Sequence, residues 1–322
     1  MADPWEEFAR NYPIHEESYA FTNVMKTNSV KHFHEYELEE AHQVYTSMIK
    51  AGAGEISFDG QVQEMLIPSP DVASGIPVSV YKPNKCAAAP AILIYFHGGG
   101  LVLLERKCFE TSLQIIAMEA GCIVVNVEYR LLRNPEDGHA SFDDGRAVAS
   151  WVLENKEKVG GCPESKVGLG GDSAGGQISA SVALDVPGLE FQILIYPNVD
   201  TGLTTASVEE FINNPVLSKA DICWFIKHMA RALPDHLTDP RVNVVTRTDL
   251  GSAPPALVLL AQIDTIRDSG MLYAEKLRAA GVRVRIVVIE GVPHCFFICP
   301  GVFKTKCQEA YGHVVNFLKD FQ

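Results

Sequence analysis

The pentapeptide Gly171-Asp172-Ser173-Ala174-Gly175 places one serine between an apolar stretch and a helix-compatible stretch. A tight strand-to-helix turn requires small residues on both sides, and it holds a serine hydroxyl clear of the sheet at a helix N-terminus. A hydroxyl in that position can act as a nucleophile. The alternative interpretation is a glycine-rich turn with an incidental serine, so other residues must decide between the two.

A histidine and an aspartate could activate Ser173. A serine hydroxyl is a weak nucleophile until a base removes its proton, and a carboxylate must orient that base. His294 lies in a loop after one predicted strand, and Asp264 lies just beyond another. The chain order Ser173, Asp264, His294 is that of α/β-hydrolases. Asp268, one helical turn after Asp264, is the competing acid, and spacing alone leaves that choice open.

The run His97-Gly98-Gly99-Gly100 follows a predicted buried strand. Glycine amides at a loop crest can approach a substrate more closely than those of residues with a Cβ atom, which suits the stabilisation of a developing oxyanion. We therefore predict an oxyanion hole formed by Gly98, Gly99 and the amide of Ala174. Without the serine turn, the same glycines would be interpreted as a purely structural turn.

The apolar residues predict eight strands. The first two candidates alternate apolar and polar residues, which is typical of an antiparallel pair at a sheet edge, and the other six are short continuous apolar runs typical of buried parallel strands. The predicted strands cover residues 61–67, 76–82, 91–96, 123–127, 167–170, 192–196, 257–261 and 285–289.

Helix-length segments separate the six apolar runs, at residues 110–119, 143–155, 176–184 and 268–280. Strands alternating with crossover helices predict an α/β fold with a mostly parallel, doubly wound sheet of eight strands. In such a sheet the strand-to-helix loops gather at the carboxyl edge. The serine, histidine and aspartate candidates therefore belong at one edge of the sheet.

Two regions interrupt this alternation. Residues 1–55 are rich in Glu, His and aromatic residues, with an amphipathic helix predicted at 36–49, and they are interpreted as N-terminal cap helices. Residues 56–322 form the predicted catalytic domain, which carries a cap insertion at about 200–250. The predicted architecture is thus a hydrolase-like sheet domain with a helical cap.

Composition and charge exclude several classes of partner. The chain has 322 residues and a formal net charge of −13, which disfavours binding to nucleic acid or to anionic lipid surfaces. No apolar run is long enough to span a bilayer, and the first residues carry acids where a secretory signal would carry basic residues. We therefore expect a cytoplasmic protein without a membrane anchor that acts on a small neutral or cationic molecule.

Four histidines near the N-terminus could be metal ligands: His15, His32, His34 and His42. Mixed His and Glu on a helical segment is more often a solvated face. Cys295 and Cys299 are similarly more typical of packed thiols, because no second pair stands at zinc-like spacing. The sequence therefore predicts neither a metal nor a cofactor.

Four motifs in this order resemble the hormone-sensitive-lipase-like branch of α/β-hydrolases, known as bacterial family IV esterases, which includes arylacetamide-deacetylase-like proteins and carboxylesterases. The resemblance covers residues 60–320 and implies a nucleophile at Ser173, an acid at Asp264, a base at His294, oxyanion donors at Gly98, Gly99 and Ala174, and a mobile cap. The motifs are His97-Gly98-Gly99-Gly100, Gly171-Asp172-Ser173-Ala174-Gly175-Gly176, Asp264-Thr265-Ile266-Arg267-Asp268 and Pro293-His294-Cys295-Phe296-Phe297.

The chain departs from the family pattern in three places. Residues 129–134 read Tyr-Arg-Leu-Leu-Arg-Asn instead of Tyr-Arg-Leu-Ala-Pro-Glu, Thr265 replaces a usual proline, and Cys295 replaces a usual glycine beside the histidine. These changes affect the expected shape of the pocket rather than the catalytic groups.

The combined prediction is a serine carboxylesterase that hydrolyses small to medium acyl esters through an acyl-enzyme. The alternatives are a ligand-binding receptor on a hydrolase scaffold, and an amidase or lyase acting on a specialised metabolite. A homodimer through the last strand is a further expectation. Aromatic residues that could line the pocket are Trp5, Phe8, Tyr12, Phe211, Trp224 and Phe225.

Overall fold

Eight strands form one sheet in the computed structural model, which describes residues 3–322. Each lies within a few residues of its predicted position, so the predicted strands are confirmed. Their bounds are β1 Gly60–Ser69, β2 Val72–Pro83, β3 Ile92–Phe96, β4 Ile123–Val127, β5 Val167–Asp172, β6 Phe191–Ile195, β7 Ala256–Ile263 and β8 Val284–Pro293.

The strand order is β1-β2-β4-β3-β5-β6-β7-β8. Strand β2 pairs antiparallel with both β1 and β4, and the pairs from β4 to β8 are parallel. Because parallel strands share a carboxyl edge, the loops that follow β3, β5, β7 and β8 meet on one side of the sheet. The doubly wound α/β fold is confirmed.

Ten α-helices accompany the sheet within the described residues. Their bounds are α1 Glu6–Ala9, α2 Glu16–Thr27, α3 Leu38–Ala53, α4 Glu110–Ala120, α5 Ala140–Glu154, α6 Ala174–Asp185, α7 Ser207–Glu210, α8 Lys219–Met229, α9 Arg267–Ala279 and α10 Lys304–Leu318. Helices α4, α5, α6 and α9 match the predicted crossover helices, whereas α2 and α10 were not predicted.

Helices cover both faces of the sheet. On one face, α4 and α10 pack against strand residues such as Leu93 and Leu257. On the other, α5, α6 and α9 cover residues such as Ile94 and Val258. Strands buried on both faces need apolar side chains at consecutive positions, which explains why their sequences are continuous apolar runs.

The N-terminal helices and the segment 200–250 both lie near the carboxyl edge. Ser18 on α2 donates its hydroxyl to the carbonyl of Gly291, at 2.8 Å, next to the end of β8. Residues 33–35 contact α8. Among the described residues, none of the helices has both the length and the hydropathy that crossing a bilayer requires.

Candidate active site

Ser173 occupies a strained turn between β5 and α6. Its backbone φ is 53°, a left-handed conformation that is uncommon for a residue with a side chain. The flanking glycines have no room for a Cβ: one built on Gly175 would lie 1.9 Å from the carbonyl oxygen of Phe96, and one on Gly171 would lie 2.4 Å from Gly175. The sequence around Ser173 is therefore the one that this sharp turn requires.

Three backbone hydrogen bonds hold the strained turn in place. The Ser173 N–H donates to the Ile195 carbonyl at 2.9 Å, and the Ser173 carbonyl accepts the N–H groups of Asn198 and Gln177, both at 3.1 Å. Surrounding structure of this kind is what allows an unfavourable backbone conformation to persist. The turn is held by β6 and the loop after it, not by its own sequence alone.

His294 and Asp264 form a buried pair. His294 directly follows β8, Asp264 directly follows β7, and the distance from His294 Nδ1 to Asp264 Oδ2 is 2.7 Å. The other carboxylate oxygen of Asp264 accepts the N–H of Ile266 at 3.0 Å. With Nδ1 bonded to the carboxylate, Nε2 is the imidazole nitrogen that remains for proton transfer.

Asp268, the competing acid, is bonded elsewhere. One carboxylate oxygen accepts from Arg267 Nε at 2.7 Å, and the other accepts the N–H of Ser207 at 3.0 Å. The structure therefore joins Asp264 to His294, and it places Asp268 at the start of α9 in contact with α7.

Ser173 and His294 line the same cavity, although they are not joined. Within residues 3–322, the Ser173 hydroxyl makes no hydrogen bond to His294 or to another side chain. Catalytic hydrogen bonds are often long without substrate and tighten when it binds. The geometry thus brings the sequence-predicted serine and histidine to one cavity, and the buried Asp264 is bonded to His294 behind the cavity wall.

In the glycine loop after β3, the structure differs from the prediction at one oxyanion-hole donor. The N–H of Gly98 donates to Asp172 Oδ1 at 2.9 Å, so it is not free to bind an oxyanion. Gly99 and Gly100 line the cavity, whereas Gly98 is buried behind them. The amide of Ala174 opens α6 and has no acceptor within the helix. The candidate donors are therefore Gly99, Gly100 and Ala174, and the prediction of Gly98 is wrong in this structure.

Asp172 links the nucleophile turn to the glycine loop, a role that sequence reasoning missed. Its Oδ1 accepts the Tyr95 hydroxyl as well as the Gly98 N–H, both at 2.9 Å. Burial raises the pKa of Asp172 to about 6, although the bond from Tyr95 and the nearby His97 oppose that rise. The sequence did contain a signal for this role: an aspartate stands directly before Ser173, at a position where the turn itself does not require a carboxylate.

His97 and Tyr129 stack on each other and contact the backbone of the same glycine loop. The two rings stack with centroids 4.3 Å apart, and the Tyr129 hydroxyl donates to the His97 carbonyl at 2.7 Å. His97 Nδ1 lies 2.7 Å from the carbonyl of Gly98. The first residue of the His-Gly-Gly-Gly run thus fixes the path of the glycines and does not enter the cavity.

Two of the departures from the family pattern make contacts that the usual residues could not make. The Thr265 hydroxyl lies 3.1 Å from the Phe211 carbonyl and 2.5 Å from the Leu217 carbonyl, which ties the Asp264 loop to the segment 200–250. Arg133 donates to the Val102 carbonyl at 3.1 Å and lies 2.9 Å from His42 Nδ1 on α3. These contacts connect the site loops to the regions above the site.

The third departure, Cys295, has a φ of 67° and lines the cavity. A glycine would adopt this conformation without strain. Burial raises the pKa of the Cys295 thiol well above its usual range, so at neutral pH it is a thiol and not a nucleophilic thiolate.

Apolar side chains from the N-terminal region and the segment 200–250 form much of the remaining cavity lining. Most were missed, although Phe21 and Met25 stand one helical turn apart, a spacing that could have indicated a buried face. Of the six predicted aromatic residues only Phe225 lines the described cavity, and Trp5, Phe8, Tyr12 and Phe211 pack against one another instead. The apolar lining from these upper regions comprises Phe21, Met25, Phe33, Tyr45, Met48, Ile49, Val216, Leu217, Ile222 and Phe225, and the loops of the sheet add Leu103, Leu104, Ile266 and Ile298.

Comparisons with known proteins agree with this architecture. A sequence profile of the alpha/beta hydrolase fold matches residues 93–298. Carboxylesterase NlhH of Mycobacterium tuberculosis is 37% identical over 226 residues, which are 67% of this chain and 69% of that protein. Ethyl acetate hydrolase of Pseudomonas putida is 31% identical over 273 residues, which are 82% of this chain and 84% of that protein.

A solved structure extends the likeness over nearly the whole chain. A hyperthermophilic esterase from Pyrobaculum calidifontis superposes with a TM-score of 0.81 and 28% identity, covering 96% of this chain and 98% of that one. The profile match alone covers more than half of the chain. The chain therefore belongs to the alpha/beta-hydrolase family, in its hormone-sensitive-lipase-like branch.

Proposed function

We propose that the protein is a serine carboxylesterase in which Ser173 is the nucleophile, His294 the general base and Asp264 the acid that orients it. The observation that carries the proposal is the 2.7 Å bond from the buried Asp264 to His294, which lines the same cavity as the strained Ser173. Relatives named as ester hydrolases support the same reaction class.

The reaction begins when Ser173 Oγ attacks the ester carbonyl carbon. An O–C bond forms, the hydroxyl proton passes to His294 Nε2, and the carbonyl electron pair moves onto oxygen. Asp264 stabilises the resulting imidazolium. The negative oxygen is bound by the N–H groups of Gly99, Gly100 and Ala174, which point toward charge that exists only in the intermediate.

Collapse of the intermediate breaks the bond to the leaving oxygen, which takes the proton from His294 Nε2 and departs as an alcohol. Ser173 is then acylated. Water attacks the acyl carbon with His294 again removing a proton, and a second collapse releases the carboxylic acid and restores the Ser173 hydroxyl. The two half-reactions use the same three side chains and need no cofactor.

The lining indicates the substrate class. No lysine or arginine lines this cavity among the described residues, and its charged or polar side chains are the site groups Asp172, Ser173 and His294 together with Asn198 and Cys295. An uncharged ester with apolar acyl and alcohol groups therefore fits, whereas a charged acyl group would lose hydration without gaining a partner. We infer small to medium acyl esters, closed in by the N-terminal helices and the segment 200–250.

The test is a series of p-nitrophenyl esters of increasing acyl length, assayed with wild type and Ser173→Ala. Wild type should turn over the short members and lose kcat/KM once the acyl chain exceeds the cavity. Ser173→Ala should lower kcat by at least about 10⁴-fold for every member. Activity of Ser173→Ala close to wild type would exclude the proposed nucleophile.

The same assay, extended to the matched p-nitroanilides, separates the receptor and amidase alternatives. A ligand-binding receptor would bind an ester without releasing product, and an amidase would hydrolyse the matched anilides at least as fast as the esters. Receptor behaviour is not expected, because His294 is bonded to Asp264 and lines the same cavity as Ser173, and amidase behaviour is not expected, because the relatives named above are ester hydrolases. A cytoplasmic location and a homodimer through the edge strand β8 stay predictions of the sequence.

A further inference from the structure

Two histidines and one aspartate converge outside the active site. His32 Nδ1 lies 2.7 Å from Asp221 Oδ2, and His34 Nδ1 lies 2.7 Å from Asp221 Oδ1. The three potential ligand atoms all lie within 4.8 Å of one another. The histidines lie at the 3-10 turn 33–35 and the aspartate on α8, so the cluster joins the N-terminal region to the segment 200–250.

Asp221 has its hydrogen-bond acceptors satisfied without the imidazoles. Oδ2 accepts the N–H of Ser218 at 2.8 Å and its hydroxyl at 2.7 Å, and Oδ1 accepts the N–H of His34 at 3.2 Å. With both imidazoles, five donors meet one carboxylate, which offers about four lone-pair positions. The imidazole nitrogens can therefore present lone pairs to a cation without leaving the buried carboxylate unsatisfied.

The donor set and its exposure select a class of ion. Two imidazole nitrogens and one carboxylate oxygen suit Zn²⁺ and its neighbours Co²⁺, Ni²⁺ and Cu²⁺, and they do not suit Ca²⁺ or Mg²⁺, which prefer oxygen ligands. The Asp221 side chain is fully buried, whereas those of His32 and His34 are 35% and 38% exposed. One face of the cluster is thus open to solvent, which provides an entry path and room for water ligands.

We propose that His32, His34 and Asp221 bind one divalent transition-metal ion of the zinc class. Ser218 and the His34 backbone hold the carboxylate in orientation, as groups behind metal ligands do. The sequence analysis interpreted these histidines as part of a solvated face, and Asp221 lies far from them in the chain. The structure supplies the third ligand.

The ion would clamp two parts of the cavity lining together. Phe33, between the two histidines, and Phe225, one turn after Asp221 on α8, both line the cavity, and their ring centroids lie 4.7 Å apart. A bound ion would therefore hold the N-terminal region against α8 directly beside the substrate. This role is independent of the proposed ester hydrolysis.

The experiment is a titration of the metal-free full-length protein with Co²⁺ and with Zn²⁺, followed by calorimetry and by the visible absorption of bound Co²⁺. Both readouts are independent of catalysis. All samples carry Cys223→Ser, because this exposed thiol lies on the same helix as Asp221 and could bind the ions itself. We expect one bound ion per chain.

His34→Asn should weaken binding by at least about 100-fold, the upper end of the loss seen when only an outer partner of a ligand is removed. His313→Asn, which changes a partly exposed histidine on α10, is the matched control and should bind as wild type does. The half-exposed His34 is preferred to the buried Asp221 for this test, because Asp221 also caps α8. No binding at millimolar metal, or binding retained by the His32→Asn/His34→Asn double variant, would overturn the proposal.

Discussion

The two walls of the cavity differ in their backbone conformation and in the contacts that hold their residues in place. The sheet wall, formed by Gly99, Gly100, Ser173, His294 and Cys295, consists of loop residues with short hydrogen bonds behind them and several left-handed backbone conformations. The cap wall, formed by the ten apolar lining residues of the N-terminal region and the segment 200–250, consists mainly of helical side chains in mutual contact. The strained backbone conformations thus lie in the wall that carries the proposed catalytic groups.

This difference predicts that substitutions in the two walls affect catalysis in different ways. Changes in the sheet wall should lower turnover of every substrate, because its groups act on the carbonyl that all esters share. Changes in the cap wall should alter the ranking of substrates, because its side chains contact the parts that differ. The walls touch at Gly100, where an added Cβ would lie 2.2 Å from the Phe225 ring.

The largest expected effect concerns Asp264, the carboxylate bonded to His294 behind the sheet wall. Asp264→Asn should lower kcat by about 10⁴-fold, because His294 loses the group that fixes its tautomer and stabilises its charge. Asp268→Asn is the matched control and should stay within about 10-fold of wild type. Both are compared by steady-state kinetics on one short ester. A larger loss in Asp268→Asn would reverse the assignment of the acid.

Removal of the Asp172 carboxylate should have the next largest effect. Asp172→Ala takes away the acceptor for Gly98 and Tyr95, so the glycine loop loses its anchor and kcat should fall by about 10²- to 10³-fold, as when an oxyanion donor is lost. Asp172→Asn keeps an acceptor oxygen and should retain most of that activity. If Asp172→Ala raised KM and left kcat unchanged, the anchor role would be wrong.

The same carboxylate predicts a pH dependence of stability. Because burial raises the pKa of Asp172 to about 6, the native state keeps this proton in a range where the unfolded chain has lost it. From about pH 4 to about pH 6, the contribution of Asp172 to the free energy of unfolding should therefore fall by up to roughly 1.4 kcal/mol per pH unit.

Urea unfolding of wild type and Asp172→Asn at several pH values measures this contribution. The free energy of unfolding of wild type minus that of the variant should decrease as the pH rises through the window and become constant above it. A difference that is flat with pH, or one that increases, would show that the raised pKa is absent.

A smaller effect is expected in the cap wall. Phe225→Ala should raise kcat/KM for long or bulky esters relative to acetate by about 10-fold, since it removes a ring that covers Gly100, while kcat for acetate changes little. Trp224→Ala is the matched control, because this neighbouring ring does not line the described cavity. Uniform loss across the ester series would place Phe225 in the catalytic wall.

The smallest effect concerns Cys295. Its raised pKa predicts slow alkylation at neutral pH, and a bulky adduct there would crowd His294. Iodoacetamide should inactivate wild type slowly, faster as the pH rises, and it should inactivate Cys295→Ser a few-fold more slowly. Equal rates for the two proteins would remove Cys295 as the sensitive thiol.

The sequence was sufficient to predict the sheet and the positions of the three candidate catalytic side chains, because their signals are local. A buried parallel strand is a continuous apolar run, and the turn at Ser173 needs glycines where a Cβ would collide with neighbouring backbone. The order of Ser173, Asp264 and His294 along parallel strands then places them at one edge.

Other features depend on contacts between distant residues. Whether Gly98 or Gly100 faces the cavity depends on one hydrogen bond from Gly98 to Asp172. The apolar lining from α2, and the convergence of His32 and His34 on Asp221, depend on how the N-terminal region folds over the sheet. No local pattern reports that arrangement, so the sequence could not supply it.

The central claim, that the sheet wall carries a nucleophile at Ser173 activated by His294, is tested most directly by covalent labelling. An alkyl p-nitrophenyl phosphonate should transfer one phosphonyl group per chain, and peptide mass mapping should find it on the peptide that contains Ser173. Labelling should be lost in Ser173→Ala and strongly slowed in His294→Ala. Inactivation with the label on another residue, or with Ser173 unlabelled, would contradict the account.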